Sequence, residues 1–294
     1  MRFLVAESEP PEDRNKRRAS VGRSSGEVFL DLLRELAPGA STDRAAPADA
    51  DAGVPSQDEL GGYDAVFLTG SPLHVYDPSP EAERELEFMR RVFASGTPSF
   101  GSCAGLQVAV AAAGGRVRPM GRRREAGITR RVTRTEAGRD HPLLAGRPPA
   151  WDAITMHSDE VEALPDGGGG GDGGGTATLL ARGGVTEVQA AEIRWGPGVF
   201  WGVQYHPELP LSDIGAALRR DADDLVGAGL ARKPAEVELQ AALIDALAAE
   251  PERRDLRWRL GVDGELAERG RRVREIRNFV EHLVRPTRAA RGRG

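Results

Sequence analysis

Residues 97–111 of this 294-residue chain read TPSFGSCAGLQVAVA, which predicts a strand, a sharp turn and a helix in direct succession. The run at 97–100 has strand-like apolar character, and the run at 106–111 is helix-like. A Gly-x-Cys-x-Gly turn between them is typical of a nucleophile elbow, because glycine permits a tight turn and the helix start favours a thiolate. Cys103 is therefore the candidate nucleophile. The alternative, a small buried hydrophobe in a glycine-rich turn, needs neither flanking element.

A second segment, GVQYHPE at residues 202–208, supplies a candidate base and its partner. The apolar run before it, at 199–203, predicts a buried strand. Alternate residues of an extended chain point the same way, so His206 and Glu208 are expected to face one site. The imidazole would accept the thiol proton, and the carboxylate would orient the ring and stabilise its charged form.

Strand-like and helix-like runs alternate along the first part of the chain, which predicts a mostly parallel sheet with helices on both faces. These runs lie at 2–6, 28–36, 65–68, 81–93, 97–100 and 106–113. Active sites of such folds lie at the carboxyl ends of the strands, so Cys103 and Gly70 fall on the same edge. Residues 127–134 and 151–164 are more irregular and predict added antiparallel strands.

Composition narrows the functional classes. The net charge of −5 and the isoelectric point near 5.7 give no reason to expect a nucleic-acid partner. A single cysteine excludes an internal disulfide and suits a reducing cytoplasm, where we expect the protein to reside. No apolar run is long enough to span a bilayer. Five histidines without ligand spacing predict no metal site.

Five motifs together give the chain a resemblance to the class I glutamine amidotransferases, above all the glutaminase domain of GMP synthase. The Gly-x-Cys-x-Gly-x-Gln elbow ends at Gln107, and Gly-x-Gln-x-His-Pro-Glu matches residues 202–208. The other three are similar to the family's Gly-Gly-Pro loop, its Glu-x-Gly segment and its His-Ser/Gly-Asp stretch, at 68–72, 124–128 and 156–159. The resemblance covers residues 1–209 and resumes at 274–279.

The resemblance implies a three-layer, flavodoxin-like α/β fold and a reaction without a cofactor or metal. Cys103 would attack the side-chain amide of glutamine, His206 would move protons and Glu208 would orient it. The oxyanion donors would be the backbone N–H groups of Ser71 and Ala104, although the family often has glycine where this chain has Ser71. The substrate-binding residues by the same correspondence are Gly70, Gln107, Glu125 and Gly127.

Residues 210–270 interrupt the resemblance and are predicted to form a helical insertion. Apolar residues recur at helical spacing after Ser212, a good N-cap, and again from Val237 until Pro251. A third helix is expected to begin at Asp255. The predicted organisation is a core at 1–209, the insertion at 210–270, the closing helix of the core at 271–286 and a disordered tail at 287–294. The insertion is expected near the active-site edge, over its mouth or at a subunit interface; the alternative is that it only packs on the core.

Two further segments stand apart. Residues 8–26 are polar and follow the first strand, so they predict either a lid or docking loop near the site or a plain solvated loop. Residues 167–175 are almost all glycine and lack the Lys-Ser/Thr of a phosphate-binding loop, which favours a surface insertion.

Three functions remain open. The main reading is release of ammonia from glutamine, with any acceptor reaction in a separate synthase or ligase subunit. The alternative is a stand-alone hydrolase of a γ-glutamyl amine or peptide, which needs the same chemistry with another leaving group. A non-catalytic binding protein on the same fold is the third, and the intact Cys103, His206 and Glu208 argue against it. A cysteine α/β-hydrolase would place its acid well before its histidine, unlike this chain. A homodimer also stays open.

Overall fold

The computed structural model describes residues 1–121, 124–168 and 174–293. Its strands are β1 (Arg2–Ala6), β2 (Ser41–Ala45), β3 (Ala65–Leu68), β4 (Ser99–Ser102), β5 (Arg116–Pro119), β6 (Glu125–Arg134), β7 (Ala150–His157), β8 (Asp159–Ala163), β9 (Thr176–Arg182), β10 (Ala190–Trp195) and β11 (Gly198–Val203). Its α-helices are α1 (Pro11–Val21), α2 (Ser25–Leu36), α3 (Gln57–Gly61), α4 (Pro80–Ser95), α5 (Ala104–Ala112), α6 (Glu136–Arg139), α7 (Leu211–Arg220), α8 (Ala222–Gly227), α9 (Pro234–Ala249), α10 (Arg254–Leu260), α11 (Gly264–Ala267), α12 (Arg269–Arg272), α13 (Arg274–Phe279) and α14 (Arg285–Ala290). A short 3-10 helix spans Pro142–Leu144 and a π-helical turn spans Val280–Val284.

Within the described residues, the main sheet has the strand order β2-β1-β3-β4-β11-β10-β9-β6-β7. The first five strands are parallel to one another, and this order is the flavodoxin-like one. The remaining strands extend the sheet in antiparallel fashion, as the irregular middle of the sequence predicts. The predicted α/β fold class is confirmed.

Helices cover both faces of the sheet and produce two separate apolar cores. On one face, Phe29 of α2 and Phe279 of α13 pack with Phe67 and Phe100 of the central strands. On the other face, α4 and α5 contribute residues such as Phe88 and Leu106. Consecutive strand residues face opposite sides, so the continuously buried strands β1 and β3 serve both cores.

Residues 210–270 fold into helices and form a third core. Ile214, Ile244 and Leu260 pack with Ile154 of β7 and Val28 of α2. The helix starts differ in one detail from the prediction, because α7 begins at Leu211 with Pro210 as its N-cap, so Ser212 lies inside the first turn. Pro210 has the fixed φ of proline and an extended ψ, so it lies outside the helix. Helix α7 therefore begins at the next residue, ahead of Ser212.

The chain after the closing helix corrects a second prediction. Residues 287–294 are predicted to be disordered; residue 294 lies outside the described part of the chain, but α14 continues to Ala290, and Arg291 and Arg293 are bound to the core. Arg291 Nη2 donates to the Gly96 carbonyl at 2.7 Å, and Arg293 Nη2 donates to the Gly61 carbonyl at 2.7 Å. Charged groups that bind carbonyls hold this segment in place, which composition alone does not reveal.

The polar segment 8–26, for which the sequence predicts either a lid or docking loop or a solvated loop, contains the helix α1. Within 167–175, residues 169–173 lie outside the described part of the chain. The ends of that segment meet, since Gly167 N–H donates to the Gly175 carbonyl at 3.0 Å. Among the described helices, none has both the length and the apolar character needed to cross a membrane.

Candidate active site

Three neighbouring parallel strands end side by side at one edge of the sheet, and the candidate residues follow their last positions. Gly70 and Ser71 come after β3, Cys103 after β4 and His206 after β11. Because β3, β4 and β11 are neighbours, these residues converge although His206 is more than a hundred positions from the others in the sequence. The edge predicted from the sequence is therefore the one where they meet.

The turn at Cys103 has the strained backbone of a nucleophile elbow. Cys103 has φ 52° and ψ −110°, an uncommon conformation for a non-glycine residue. The flanking glycines are required by close packing, because a Cβ on Gly101 would lie 2.8 Å from the Gly105 carbonyl carbon, and one on Gly105 would lie 2.8 Å from the Leu68 carbonyl oxygen. The side chain is mostly buried, with its Sγ 3.9 Å from the Met156 carbonyl oxygen.

His206 lies between a carboxylate and the thiol. Its Nδ1 is 2.7 Å from Glu208 Oε1, and Ser102 Oγ donates to the same oxygen at 3.0 Å. Since Nδ1 is engaged, Nε2 is the ring nitrogen left for the interaction with Cys103. Burial alone would lower the pKa of His206, but the charges of Glu208 and Cys103 outweigh it and raise this pKa to about 10. The imidazolium is thereby favoured at neutral pH.

The loop after β3 presents its backbone to the same space. A Cβ on Gly70 would lie 2.7 Å from His206 Cε1, so only glycine allows this approach. Thr69 Oγ1 donates to the Gly70 carbonyl at 3.0 Å and accepts from the Ser8 N–H at 3.0 Å. In a planar trans peptide the C=O and the following N–H point in opposite directions, so the Ser71 N–H is directed away from the buried Thr69.

Ala104 provides the second backbone group. It is the first residue of α5, and N–H groups in the first turn of a helix have no intrahelical acceptor. Cys103 therefore has a free helix N-terminus beside it and the Gly70–Ser71 peptide across from it. Two N–H donors on either side of a nucleophile are the arrangement that stabilises a tetrahedral oxyanion.

A cavity of about 500 Å³ opens onto Cys103 and His206. One part of its wall belongs to the sheet edge and includes Gly70, Ser71, Gln107, His157 and Asp159. The other part is helical and includes Arg17 of α1 and Asp213, Ile214 and Ala217 of α7. Cavities of this volume accommodate small organic ligands.

The predicted substrate-binding residues divide between the cavity wall and the layer behind it. Gly70 and Gln107 line the cavity, and Gln107 Nε2 donates to the Asp159 carbonyl at 3.1 Å. Glu125 is not part of the lining; its carboxylate lies 3.3 Å from His157 Nε2, behind the wall. Gly127 is also outside the lining, has φ 84° and approaches Leu218 of α7.

Three other histidines have different environments in the structure. His157 lines the cavity, with Nδ1 2.9 Å from the Asp159 carbonyl. His74 also lines it, and its Nδ1 lies 2.6 Å from Asp159 Oδ2. His141 has a structural setting, because its Nδ1 accepts from the Leu143 N–H at the start of the 3-10 helix.

The helical part of the wall contains residues that sequence analysis did not single out. From α1 and the preceding turn these are Glu9, Asp13, Lys16 and Arg17. A signal for α1 was present, because Pro11 occupies the first helical position, Glu12 and Asp13 follow in the first turn, and Gly22 ends the helix with φ 87°. In the described ranges, no group of three or more His, Cys, Asp or Glu side chains is arranged to hold a metal ion.

A strained cysteine at a helix N-terminus and a histidine held by a carboxylate therefore meet at the carboxyl edge of a parallel α/β sheet. Residues 44–222 match the family model described as "Glutamine amidotransferase class-I". The match covers more than half of the chain, which belongs to this family, whose enzymes are of the amidotransferase and hydrolase type.

Two kinds of relative differ in how much they share with the chain. A γ-glutamyl-L-1-hydroxyisopropylamide hydrolase of a Pseudomonas species is 37% identical over 292 residues, or 98% of this chain and 94% of that protein. The GMP synthase of Thermomicrobium roseum is 31% identical over 158 residues, or 53% of this chain but only 25% of that enzyme. A glutamine amidotransferase crystal structure from Thermotoga maritima has a TM-score of 0.62 at 18% identity, covering 97% of this chain and 98% of that one, which supports the fold alone.

Proposed function

We propose that this protein is a γ-glutamyl amide hydrolase that uses Cys103 as nucleophile. The similarity to the Pseudomonas hydrolase carries the proposal, because it extends over 98% of the chain and nearly all of the relative. The cavity supports it as well, since its wall continues from Cys103 onto α7 and leaves space beyond a bare amide nitrogen.

The proposed reaction proceeds through a glutamyl thioester. His206 holds the thiol proton as an imidazolium before the chemical step, so the Cys103 thiolate attacks the γ-carbonyl carbon, and the oxyanion lies between the N–H groups of Ser71 and Ala104. His206 then gives the proton to the amine nitrogen as the C–N bond breaks. Water, deprotonated by His206, attacks the thioester and releases glutamate. The sum is γ-glutamyl amide plus water to glutamate plus amine, and Glu208 holds His206 throughout.

Hydrolysis of glutamine itself is the second candidate, and the GMP synthase relatives favour it. The leaving group would then be ammonia, used by a separate synthase or ligase subunit. The chain spans only about a quarter to a third of those synthases, so an acceptor reaction would require another protein. Cys103, His206 and Glu208 would have the same roles.

The test compares wild type with Cys103→Ser on glutamine and on γ-glutamyl-propylamide, measuring glutamate release. Loss of the nucleophile is expected to lower kcat on the order of 10³-fold or more with both compounds. A glutamine-like diazoketone should add once, and peptide mapping should locate the adduct on Cys103, the chain's only thiol. Normal turnover in the serine variant would refute the assignment.

Two histidine variants separate a chemical effect from a folding defect. His206→Ala should lose activity while keeping the wild-type unfolding midpoint within a few degrees, whereas the exposed His282→Ala should retain both.

Glutamine turnover that rises when a synthase-type partner is added, with poor hydrolysis of the propylamide, would favour ammonia release over γ-glutamyl amide hydrolysis.

A further inference from the structure

The position of the leaving amine follows from the chemistry of His206, on the assumption that the proposed function holds. The nitrogen must lie beside this imidazole, because the imidazolium protonates it as the C–N bond breaks. From His206 the chain runs through Glu208 and Leu209 directly into α7, and Leu209, Ile214 and Ala217 line the cavity. A substituent on the nitrogen is therefore directed toward this apolar patch.

Two helices enclose the patch. The lining residues of α7, its C-cap and the start of α8 have spacings of one, three and four: Asp213, Ile214, Ala217, Arg220, Asp221 and Asp224. Across from them, α1 presents Asp13, Lys16 and Arg17. The helices are joined by Asp213, whose carboxylate lies 3.5 Å from Arg17 Nη2 and 3.0 Å from Arg23 Nη2.

Among the described residues, most of the charged side chains in this wall are paired with one another, and Asp224 is the exception among those named. Asp221 lies 2.8 Å from Arg220 Nε and 3.3 Å from Arg124 Nη2, so one carboxylate faces two guanidinium groups. Lys16 Nζ lies 3.6 Å from Asp13. Glu9 is buried and accepts from the Ser25 N–H and hydroxyl at 3.1 and 2.8 Å. Paired charges leave little net field for an ionic substituent, whose desolvation would go uncompensated.

We infer that α1 and α7 form a compartment for the substituent of the leaving amine. It selects γ-glutamyl amides of short, uncharged aliphatic amines over amides whose amine carries a carboxylate or a second ammonium group. The apolar patch of Leu209, Ile214 and Ala217 binds the alkyl part. Its paired ionic rim accommodates a neutral hydroxyl but gives no counterion to a charge.

Four substrates of graded character test the selectivity on the full-length protein. They are glutamine and the γ-glutamyl amides of n-propylamine, β-alanine and 1,3-diaminopropane, which share a three-carbon substituent and differ in its charge. The propylamide is expected to exceed both charged amides about tenfold or more in kcat/KM. Equal values, or preference for a charged amide, would overturn the inference while leaving γ-glutamyl hydrolysis established. No hydrolysis of any amide would refute the proposed function itself.

A pair of variants on α7 tests the location. Ala217→Leu fills the compartment and should lower kcat/KM for the propylamide about tenfold, with glutamine changed less than about threefold. Ala216→Leu adds the same side chain on a face that does not line the cavity and should leave both substrates unchanged. Parallel losses on propylamide and glutamine in Ala217→Leu would refute the compartment.

A charge variant gives a test that does not depend on filling the cavity. Asp213→Asn removes the negative charge nearest Arg17 and Arg23, so the wall beside the patch becomes more positive by one unit, although Arg17 still faces Glu9 and Arg23 still faces Asp31. The ratio of kcat/KM for the β-alanine amide to that for the propylamide should then rise about tenfold. An unchanged ratio in a folded variant would show that the substituent does not reach α7.

Discussion

Thr69 is the residue whose hydroxyl fixes the orientation of the Gly70–Ser71 peptide. Because Thr69 Oγ1 binds the Gly70 carbonyl, the Ser71 N–H is oriented before substrate arrives. In the proposed mechanism, serine at position 71 is compatible with an oxyanion donor because Thr69 already holds the Gly70 carbonyl. Ser25 Oγ lies 3.1 Å from Thr69 Oγ1 and 2.8 Å from Glu9 Oε2, which links this peptide to the cavity wall.

Thr69→Val tests this positioning role because valine keeps the shape and loses the hydroxyl. We expect kcat to fall about 10- to 100-fold with little change in KM, since the oxyanion forms only in the transition state. Thr69→Ser restores the hydroxyl and should recover most of the rate. A valine variant with wild-type kcat would show that the peptide is held by other contacts.

The carboxylate of Glu208 controls the pH range of His206. Its negative charge is the main factor that raises the pKa of His206 to about 10 against the effect of burial. Glu208→Gln removes that charge, so the pKa must fall, and the alkaline limb of the kcat/KM profile should move down by about one pH unit or more. Rate measurements between pH 6 and pH 11 would show the shift, and an unmoved limb would assign it to another group.

The same geometry predicts which of the variants His206→Ala and Glu208→Ala loses more activity. In the proposed mechanism His206 transfers the proton itself, whereas Glu208 acts through His206. We therefore expect Glu208→Ala to retain more activity than His206→Ala on every γ-glutamyl substrate. Wild-type activity in Glu208→Ala would mean that the orienting carboxylate lies elsewhere.

Among the elements, α13 is attached to the chain before β7 by a buried ion cluster. Arg147 Nε and Nη2 donate to the two oxygens of Glu275 at 2.7 and 2.8 Å, and Nη1 donates to Glu265 at 2.8 Å. Tyr205, which directly precedes His206, donates to the same Glu275 at 2.7 Å. The cluster connects the closing helix to the strand end that presents the candidate base.

Arg147→Met should be strongly destabilising because it leaves the buried Glu275 carboxylate without its cation, although Glu265 keeps its ion pairs with Arg271 and Arg274. We expect a loss of about 3–5 kcal/mol in the free energy of unfolding, measured by chemical denaturation. Arg116→Met is the matched control: its ion pair with Glu162 is exposed and should contribute less than about 1 kcal/mol. Equal effects in the two variants would contradict a structural role for the cluster.

Helix α1 shows why sequence patterns predict some secondary-structure elements and miss others. The strand at 65–68 is buried on both faces, and its apolar run predicts it to the residue. Helix α1 has no fully buried residue and is held by ion pairs, such as Arg14 with Asp49 at 2.8 Å. A hydrophobic pattern is absent when charges supply the contacts, so the segment reads as a loop.

For the molecule as a whole, the motifs identified the sheet edge and its convergent residues, but not the full cavity. Cys103 and His206 are marked by glycines and a proline whose backbone demands are local and visible in sequence. The contribution of α1 and α7 depends on how distant segments pack, as in the contact of Arg17 with Asp213. Glu125 lay in a matched motif, yet its contact with His157 places it behind the wall.

The two edges of the sheet separate chemistry from stability, and this separation gives a final prediction. Cys103 and His206 follow the carboxyl ends of the strands, whereas Arg291 and Arg293 bind Gly96 and Gly61, which precede β4 and β3 at the amino ends.

Truncation after Pro286 removes these arginine–carbonyl bonds without touching the cavity. We expect the free energy of unfolding to fall by about 1–3 kcal/mol, since hydrogen bonds from charged donors contribute about that much. The kcat/KM for a γ-glutamyl amide should stay unchanged at temperatures where the truncated protein is folded. Calorimetry and rate measurements on the two chain lengths test this prediction. An unchanged Tm would mean that the tail is not bound in solution. A lower kcat/KM with an unchanged Tm would mean that the amino edge of the sheet affects the active site.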